Sequence, residues 1–368
     1  MPEAKNAYII TNPMIAANRS AEVTLSKFLR VIKPCYGKLT VIGGNLSVEA
    51  DLNDIELISF DILRAGNKIK RALDILKVQL KMCKAVKRLI QKNDTVFFWI
   101  GDKMILPYKA AKKAGAEINY FIYGNVAKEG SVSRFTRISS KLIRYMAEHA
   151  DCICMESRSV IDEWPGIKAL RTKTIHLYTD KIEMNPFENR EKIIGMVCRL
   201  TAGKHVTETI AAMAEVHEKY PDWKLEIIGS GRQQAECEQL ISTLKADEYV
   251  KMLGWVDHDG IAEKSKKWKY LLFPTDTEGM PNGLLEMMGR GIPALASPVG
   301  GIKDIVSDKK NGFILPDCRT ETIASHLIEI VGLDEVYYRK CSEEAFNTIA
   351  GEYSLAGSQG NAGSMLGV

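Results

Sequence analysis

The sequence predicts an α/β protein with two Rossmann-like domains in tandem, each built on an open parallel sheet. The chain of 368 residues is long for one core and suits two domains of ordinary size. Short β-branched runs alternate with amphipathic segments, and this alternation restarts at residue 193 after a polar, proline-containing stretch at 180–190. We therefore expect domains at 1–185 and 186–350. Because ligands of open parallel sheets bind at the carboxyl ends of the strands, we expect the site in the cleft between these domains.

Each predicted strand is a short apolar run, and each predicted helix repeats its apolar residues every three or four positions. In the first domain the predicted strands are 8–11, 39–43, 56–60, 95–100, 118–123 and 152–155, and the helices are 20–32, 67–92, 106–114, 133–148 and 158–163. In the second domain the strands are 193–197, 224–229, 250–253, 270–274, 294–297 and 312–315, and the helices are 206–219, 233–245, 260–267, 281–290 and 320–331. We expect Pro281 at the first helical position, which proline favours. The Gly-, Ala- and Ser-rich stretch 351–368 is expected to be weakly structured.

The composition excludes several classes of protein. The chain is 46% hydrophobic and 26% charged, and no run approaches the roughly 20 apolar residues of a membrane span. The opening residues, MPEAKNAY, lack the basic and apolar regions of a signal peptide, so we predict a cytoplasmic protein. Eight cysteines without a C-x-x-C pair are expected to be reduced thiols, and we predict no metal site.

The charge is divided unevenly along the chain. The net charge of +4 comprises +11 in residues 1–190 and −7 in residues 191–368. Residues 64–92 hold ten basic residues and one acid, Asp74, with apolar residues at helical spacing. This pattern fits a helix that docks on an anionic membrane surface, and it equally fits a helix that packs on its sheet with a solvated basic face. The cations proposed for a membrane or acceptor surface are Lys77, Lys81, Lys84 and Arg88. Because no nucleic-acid-binding module is recognisable, we expect no nucleic-acid partner.

The segment at 275–286, TDTEGMPNGLLE, follows an apolar strand, turns through glycine and enters a helix. Free N–H groups and the positive end of a helix dipole attract anions. A diphosphate bound there would leave hydroxyl-bearing groups within reach of Glu278 and Glu286. The spacing by itself favours a helix-initiating acid followed by a solvated helical residue, and only the surrounding sequence favours a ligand site.

The segment from Glu278 to Glu286 resembles the E-x7-E element of family 4 glycosyltransferases, the glycosyl transferases group 1, which have the GT-B fold. The similarity continues through GIPALAS at 291–297, VGG at 299–301 and NGF at 311–313. Upstream, GMVCRLTAGK at 195–204 is similar to the nucleotide-sugar loop of that family. IIGSG at 227–231 is similar to its second glycine loop, and LGWV at 253–256 to the strand end near the base.

The resemblance implies a retaining hexosyltransferase that needs no metal or other cofactor. Its donor would be a nucleoside-diphosphate sugar, with a UDP-sugar expected, and its acceptor a glycan or a lipid-linked glycan in cell-surface polysaccharide or glycolipid synthesis. Residues 1–185 would form the acceptor side and 186–350 the nucleotide-sugar side. Arg199 and Lys204 would grip the diphosphate, Glu278 would contact the donor sugar, and Glu286 the ribose. The remaining donor-binding residues implied are Gly229, Gly231, Val256, Gly279, Met280, Pro281 and Asn282.

The chain departs from the family pattern at three places. His205 follows the lysine where glycine is usual, NPMIAANR at 12–19 replaces a glycine-rich loop, and IYGN at 122–125 stands where relatives often have a histidine. Two alternatives therefore stay open: a GT-B-like protein that binds a nucleotide or glycan without transfer, and a sugar-nucleotide 2-epimerase. The reaction products distinguish the three functions. A transferase moves the sugar to an acceptor, a binding protein leaves the donor unchanged, and an epimerase releases an epimerised donor.

Overall fold

The computed structural model describes residues 5–11, 19–61, 68–100, 104–122, 134–163 and 171–367. The chain divides into two compact units, which we call unit 1 (Met1–Tyr178 with Ser358–Val368) and unit 2 (Thr179–Gly357). The predicted boundary after residue 185 lies seven residues beyond this division. The chain leaves unit 1 directly after the buried residues Leu177 and Tyr178, before the polar stretch on which the prediction was based.

The described residues of unit 1 form a seven-stranded parallel sheet in the order β3-β2-β1-β4-β5-β6-β7. Its strands are β1 (Asn6–Thr11), β2 (Lys38–Gly44), β3 (Glu56–Phe60), β4 (Thr95–Trp99), β5 (Glu117–Phe121), β6 (Cys152–Met155) and β7 (Thr172–Thr174). Its helices are α1 (Arg19–Ile32), α2 (Lys68–Leu89), α3 (Ile105–Ala114) and α4 (Arg134–Glu148). Strand β7, a short polar edge strand, was not predicted.

Strand β4 shows why unit 1 forms two layers of helices around its sheet. All five residues of β4 are buried, because a central parallel strand is covered on both faces. Phe98 belongs to the core under α2, α3 and α4, which also contains Met82 and Tyr108. On the opposite face, the ring of Trp99 stacks on Phe28 of α1 with centroids 4.0 Å apart. Helices α2, α3 and α4 thus form one layer on one face of the sheet, and α1 packs on the other face.

The described residues of unit 2 form a six-stranded parallel sheet in the order β10-β9-β8-β11-β12-β13. Its strands are β8 (Ile193–Val197), β9 (Lys224–Ile228), β10 (Val250–Gly254), β11 (Tyr270–Phe273), β12 (Ala294–Ala296) and β13 (Gly312–Ile314). Its helices are α5 (Val206–Lys219), α6 (Gln234–Thr243), α7 (His258–Ser265), α8 (Asn282–Met288), α9 (Ile302–Ile305), α10 (Thr320–Val331) and α11 (Glu335–Glu352).

Neighbouring strands β8 and β11 mark the point where the strand order of unit 2 reverses. From β8 the chain passes through α5 to β9 on one side, and from β11 it passes through α8 to β12 on the other. Loops that leave such adjacent strands diverge and open a crevice at the carboxyl edge of the sheet. The β8–α5 and β11–α8 loops, which contain the predicted site residues, meet there.

Two predictions about local structure are wrong. The terminal stretch is largely helical within the described residues, with α11 ending at Glu352 and α12 spanning Leu355–Leu366. Its small residues allow close packing: Ser358 and Ala362 are buried, the Ser358 hydroxyl lies 3.1 Å from Nδ1 of His176, and the Gln359 amide donates to the Arg30 carbonyl. Pro281 is the N-cap of α8, because its ψ of 95° is extended, and the helix begins at Asn282.

Several other predictions are met or lie outside the described residues. All eight cysteines are free thiols, as predicted. Within the described ranges, every helix is too short or too polar to span a bilayer. Residues 12–18 and 123–125, where the chain departs from the family pattern, lie outside the described residues.

Candidate functional site

A cavity of about 620 Å³ opens in unit 2 at the carboxyl ends of β8 and β11. Its wall combines the β8–α5 loop, the β11–α8 loop and the first turns of α7 and α8. Seven residues singled out from the sequence meet there although up to 87 positions separate them along the chain. They are Arg199, Lys204, Met280, Pro281, Asn282, Glu278 and Glu286.

Lys204 and Glu278 form an ion pair in the wall of this cavity. The Lys204 ammonium contacts Oε1 of Glu278 and donates to the Thr275 hydroxyl at 2.9 Å. Both side chains are largely shielded from solvent, at 17% and 19% exposure. The ammonium also lies 5.6 Å from the centre of the Phe273 ring. Shielding from water strengthens this pair, so its two side chains hold each other in the wall.

His205 connects the same two loops beside that pair. Its Nε2 lies 2.8 Å from Oδ1 of Asp276, and its Nδ1 lies 3.5 Å from Oε1 of Glu208. Its backbone is left-handed, with φ of 50°, a conformation that glycine adopts without strain. The Asp276 amide also donates to the Gly203 carbonyl at 3.1 Å. The sequence marked His205 only as a departure from a pattern, and the contact with Asp276 was not predicted.

The glycines of the second glycine loop lie behind the wall. A Cβ at Gly229 would stand 1.8 Å from the Cys198 carbonyl oxygen, and one at Gly231 would stand 2.3 Å from that of Leu200. The Leu200 amide donates to the Ser230 carbonyl, which ties the loop that carries Arg199 to the end of β9. In this structure Gly229 and Gly231 allow the wall to form.

Val256 also packs behind the wall, against the core below α7. The side chain is partly buried beside a cluster that includes Phe273 and Leu284. A Cβ at Gly260 would approach its Cγ1 to 2.3 Å, so the first turn of α7 lies directly on Val256.

The Gly300–Gly301 pair supports the loop of Glu278 from below. Gly300 has a left-handed φ of 49°, and a Cβ there would stand 1.8 Å from the Glu278 carbonyl oxygen. The Gly301 amide donates to the Gly279 carbonyl at 2.8 Å. The segment 299–301 therefore fixes where Glu278 and Gly279 lie.

Glu286 projects into the cavity from α8 and faces α7. Its Oε2 lies 3.7 Å from Nδ1 of His258, the first residue of α7. Asp257 caps that helix by accepting from the Gly260 amide at 2.8 Å. His258 and Ile261 line the cavity, and neither was predicted. The signal available in the sequence was a capping aspartate shortly after the strand that ends at Gly254.

Cys198 lies in the wall next to Arg199, but its thiol is not activated as a nucleophile. Burial raises the pKa of its thiol to about 12, so it is a neutral thiol near pH 7 rather than a nucleophile. In the described part of the chain, no three His, Cys, Asp or Glu side chains converge in the way metal ligands do.

The predicted membrane or acceptor surface lies on α2 of unit 1. Lys77, Lys81, Lys84 and Arg88 are exposed, as expected. Three of the apolar residues at helical spacing, Leu73, Leu76 and Leu80, are also exposed. The opposite face of α2 packs on the sheet, and its buried core residues are Val78, Met82, Ala85 and Val86.

Comparison with known proteins gives one matching family profile. The profile described as "Glycosyl transferases group 1" matches residues 179–348, which is nearly all of unit 2. An uncharacterized glycosyltransferase of Haemophilus influenzae is 31% identical over 280 residues, which cover 74% of this chain and 76% of that protein.

Two further similarities differ in how much they cover. An exopolysaccharide phosphotransferase of Streptomyces coelicolor is 31% identical over 156 residues, which span 42% of this chain but only 16% of that longer protein. Among solved structures, Anabaena HepE in complex with UDP superposes with a TM-score of 0.75 at 16% identity, covering 99% of both chains. HepE was also solved with UDP-glucose. At this identity the structural likeness shows the fold, in which two Rossmann-like α/β domains make up a GT-B protein.

Proposed function

This chain belongs to the glycosyl transferases group 1, and from that membership we propose that it transfers a sugar from a nucleoside-diphosphate donor to a glycan or lipid-linked acceptor. The donor we propose is a UDP-sugar, and the transfer retains the anomeric configuration. The product would enter a cell-surface polysaccharide or glycolipid. Support for the donor comes from HepE, whose structures contain UDP and UDP-glucose. Support for the pathway comes from the Streptomyces relative, which is named for an exopolysaccharide.

The observation that carries the proposal is the ion pair of Lys204 and Glu278 in a cavity that also contains Arg199 and Glu286. A leaving diphosphate accumulates negative charge as its bond to the sugar breaks. Two cations in the wall of a partly desolvated cavity stabilise that charge more than they stabilise the intact donor. Arg199 and Lys204 supply these cations, so the proposed reaction requires no metal.

The two carboxylates would hold the two sugars of the donor. Glu278 presents Oε1 to Lys204, and its other oxygen remains to accept a hydroxyl of the transferred sugar. Glu286 lies on α8, where its carboxylate would accept the ribose hydroxyls. Because α8 has only seven residues, the contribution of its dipole is small, and the side chains carry the recognition.

The proposal is tested first by thermal stabilisation with UDP, GDP, ADP and their sugar conjugates. A ligand at 100 times its Kd raises the free energy of unfolding by about 2.7 kcal/mol. We expect the largest shift with a UDP-sugar, and Arg199→Ala should reduce it. Arg339→Ala, which removes an exposed arginine paired with Glu335 outside the cavity, serves as the matched control and should leave it unchanged.

The second step is incubation of the stabilising sugar nucleotide with glycan and polyprenyl-linked acceptors, in the presence and absence of a chelator. We expect a glycosidic product with the anomeric configuration of the donor, together with free nucleoside diphosphate. The rates should be equal with and without the chelator. An epimerised donor, or stabilisation without turnover on any acceptor, would refute transfer.

A further inference from the structure

The outer surface of α2 has two parallel stripes of different chemistry. Leu73, Leu76 and Leu80 are 51%, 46% and 50% exposed, and their spacing of three and four residues places them in one row. Large apolar side chains arranged in a row on a surface indicate a contact with another apolar phase. The helix remains anchored to unit 1 by its opposite face, which contains Val78 and Met82.

The second stripe is basic and runs beside the leucines. The exposed positions of α2 between residues 73 and 88 are the three leucines and five cations, Lys77, Lys81, Lys84, Lys87 and Arg88. At 3.6 residues per turn these positions share one half of the helix circumference. Asp74, the acid of this segment, is partly buried and lies 3.6 Å from the Lys77 ammonium.

The neighbouring helices of the same layer continue the basic surface. Helix α3 exposes Lys109, Lys112 and Lys113, of which Lys112 pairs with Asp151, and α4 exposes Lys141, Arg144, Tyr145 and the acid Glu148. The Lys109 ammonium lies 5.8 Å from the centre of the Tyr145 ring, so the two helices meet at this surface. An exposed tyrosine with cations around it is a typical side chain at the boundary between water and lipid.

We propose that this layer of unit 1 is a docking surface for an anionic lipid bilayer, with α2 lying in the plane of the headgroups and its leucines entering the acyl boundary. A helix of this kind binds through buried apolar area together with attraction between its cations and anionic lipids. Both contributions are present on the same half of α2. The proposal concerns unit 1 and does not depend on the chemistry assigned to unit 2.

Two other occupants fit the surface less well. A nucleic acid would pair with the cations but would leave the three leucines in water, because its backbone offers phosphates. In a symmetric contact, a second copy of the chain would bring its five α2 cations against the five α2 cations of the first copy. Like charges in direct contact repel each other. A bilayer is the partner that satisfies both stripes.

Co-sedimentation of the full chain with vesicles tests the proposal. We expect the wild type to bind vesicles of phosphatidylcholine with one-third phosphatidylglycerol at low salt and to bind pure phosphatidylcholine at least tenfold more weakly. Reversing Lys77, Lys81 and Lys84 to Glu should lower the partition constant at least about 100-fold, since each cation near an anionic surface contributes roughly fivefold. Changing Leu73, Leu76 and Leu80 to Ser should lower it about tenfold and leave only binding that disappears as salt rises.

Matched controls lie on exposed positions of unit 2. Reversal of Lys224, Lys245 and Lys264 to Glu changes the net charge equally, and Leu244→Ser with Val336→Ser removes exposed apolar side chains. Both controls should bind vesicles within about twofold of the wild type. All variants should keep the wild-type Tm without any ligand, which separates folding defects from lost docking.

Three outcomes would overturn the proposal. One is a wild type that fails to sediment with anionic vesicles at low salt, and another is an equal loss in the unit 2 controls. The third is a wild-type dimer that becomes monomeric when the leucines are replaced, which would assign the surface to self-association.

Discussion

Nε2 of His205 lies 2.8 Å from Oδ1 of Asp276, and this contact joins the loop that carries Lys204 to the loop that carries Glu278. The backbone bond from Asp276 to Gly203 runs parallel to it. The two loops leave adjacent strands but are 71 residues apart in sequence, and this link holds them together beside the Lys204–Glu278 ion pair. A glycine at 205 would permit the backbone but would lack the link.

We expect His205→Gly and Asp276→Asn each to weaken UDP binding about three- to tenfold, because either change loosens the two loops. The Tm of His205→Gly should stay near that of the wild type, since relief of left-handed strain offsets the lost bond. Calorimetry on the double variant provides the check. If both residues act through one contact, the double variant loses no more than the worse single one, and fully additive losses would contradict the link.

Substitution of Arg199 and substitution of Lys204 should weaken UDP binding to different degrees. Arg199 is exposed, so Arg199→Ala should weaken UDP binding about 10- to 150-fold with an unchanged Tm, as expected for a charge-assisted bond of about 1.5–3 kcal/mol. Lys204→Ala should cost more, because it also leaves the Glu278 carboxylate facing the diphosphate. Adding Glu278→Gln to Lys204→Ala should then recover part of the affinity. A double variant that binds UDP no better than Lys204→Ala would show that the pair does not control the phosphate site.

Glu278 and Glu286 should separate catalysis from nucleotide binding. Glu278→Gln keeps the size of the side chain and should mainly lower kcat, while free UDP still binds. Glu286→Gln should weaken UDP itself by about tenfold, because a carboxylate accepts ribose hydroxyls more strongly than an amide. Titration with UDP and steady-state kinetics on both variants give the comparison. Equal losses of UDP affinity would be incompatible with this division of roles.

The elements that the sequence predicted best are those in which one pattern dominates. Strands Cys152–Met155 and Ile193–Val197 and helices Val206–Lys219 and Thr320–Val331 have the predicted bounds. Their apolar residues repeat with a single period between polar or glycine-containing turns. Strand β7 escaped prediction because it has only three residues, TKT, and no apolar run. Helix α12 escaped because its glycines and serines have low helix preference, so tertiary packing determines it.

Helix α2 shows a second limit of sequence patterns. It contains more apolar residues than one face can bury, so periodicity alone could not decide which set packs on the sheet. The structure selects Val78, Met82 and Val86, and leaves Leu73, Leu76 and Leu80 outside. Which set is buried depends on how closely its side chains fit the sheet surface beneath.

For the candidate site, the sequence predicted the loops but not the contacts within them. Residues on the β8–α5 and β11–α8 loops were expected at one sheet edge, and the cavity wall contains them. The pairing of Lys204 with Glu278 and the approach of His258 to Glu286 depend on three-dimensional distances of a few ångströms. No spacing along one chain encodes such distances.

Gly300 and Gly279 offer a matched pair of substitutions beside Glu278. Gly300→Ala places a Cβ 1.8 Å from the Glu278 carbonyl at a left-handed φ, so we expect a loss of at least about 3 kcal/mol in the free energy of unfolding and a displaced Glu278. Around Gly279, the described residues leave open space within 4 Å of an added Cβ, so Gly279→Ala should keep the stability. Urea unfolding of both variants measures the difference. Similar unfolding midpoints would refute the close approach.

Glu156, directly after β6 in unit 1, should make stability depend on pH. Part of the residue reaches solvent, but desolvation of its carboxyl group raises the pKa to about 7. In the unfolded chain a glutamate titrates near its ordinary value of about 4.3, so the folded state holds this proton more tightly. Its contribution to stability is therefore present below about pH 4.3 and is lost as the pH rises towards 7.

We expect Glu156→Gln, which stays neutral, to stabilise the protein relative to wild type by about 1–2 kcal/mol at pH 8 and by little at pH 5. Arg158→Gln, an exposed change two residues away, is the control, and thermal unfolding at the two pH values is the measurement. An equal effect of Glu156→Gln at pH 5 and pH 8 would show that the carboxyl group ionises normally in the folded protein.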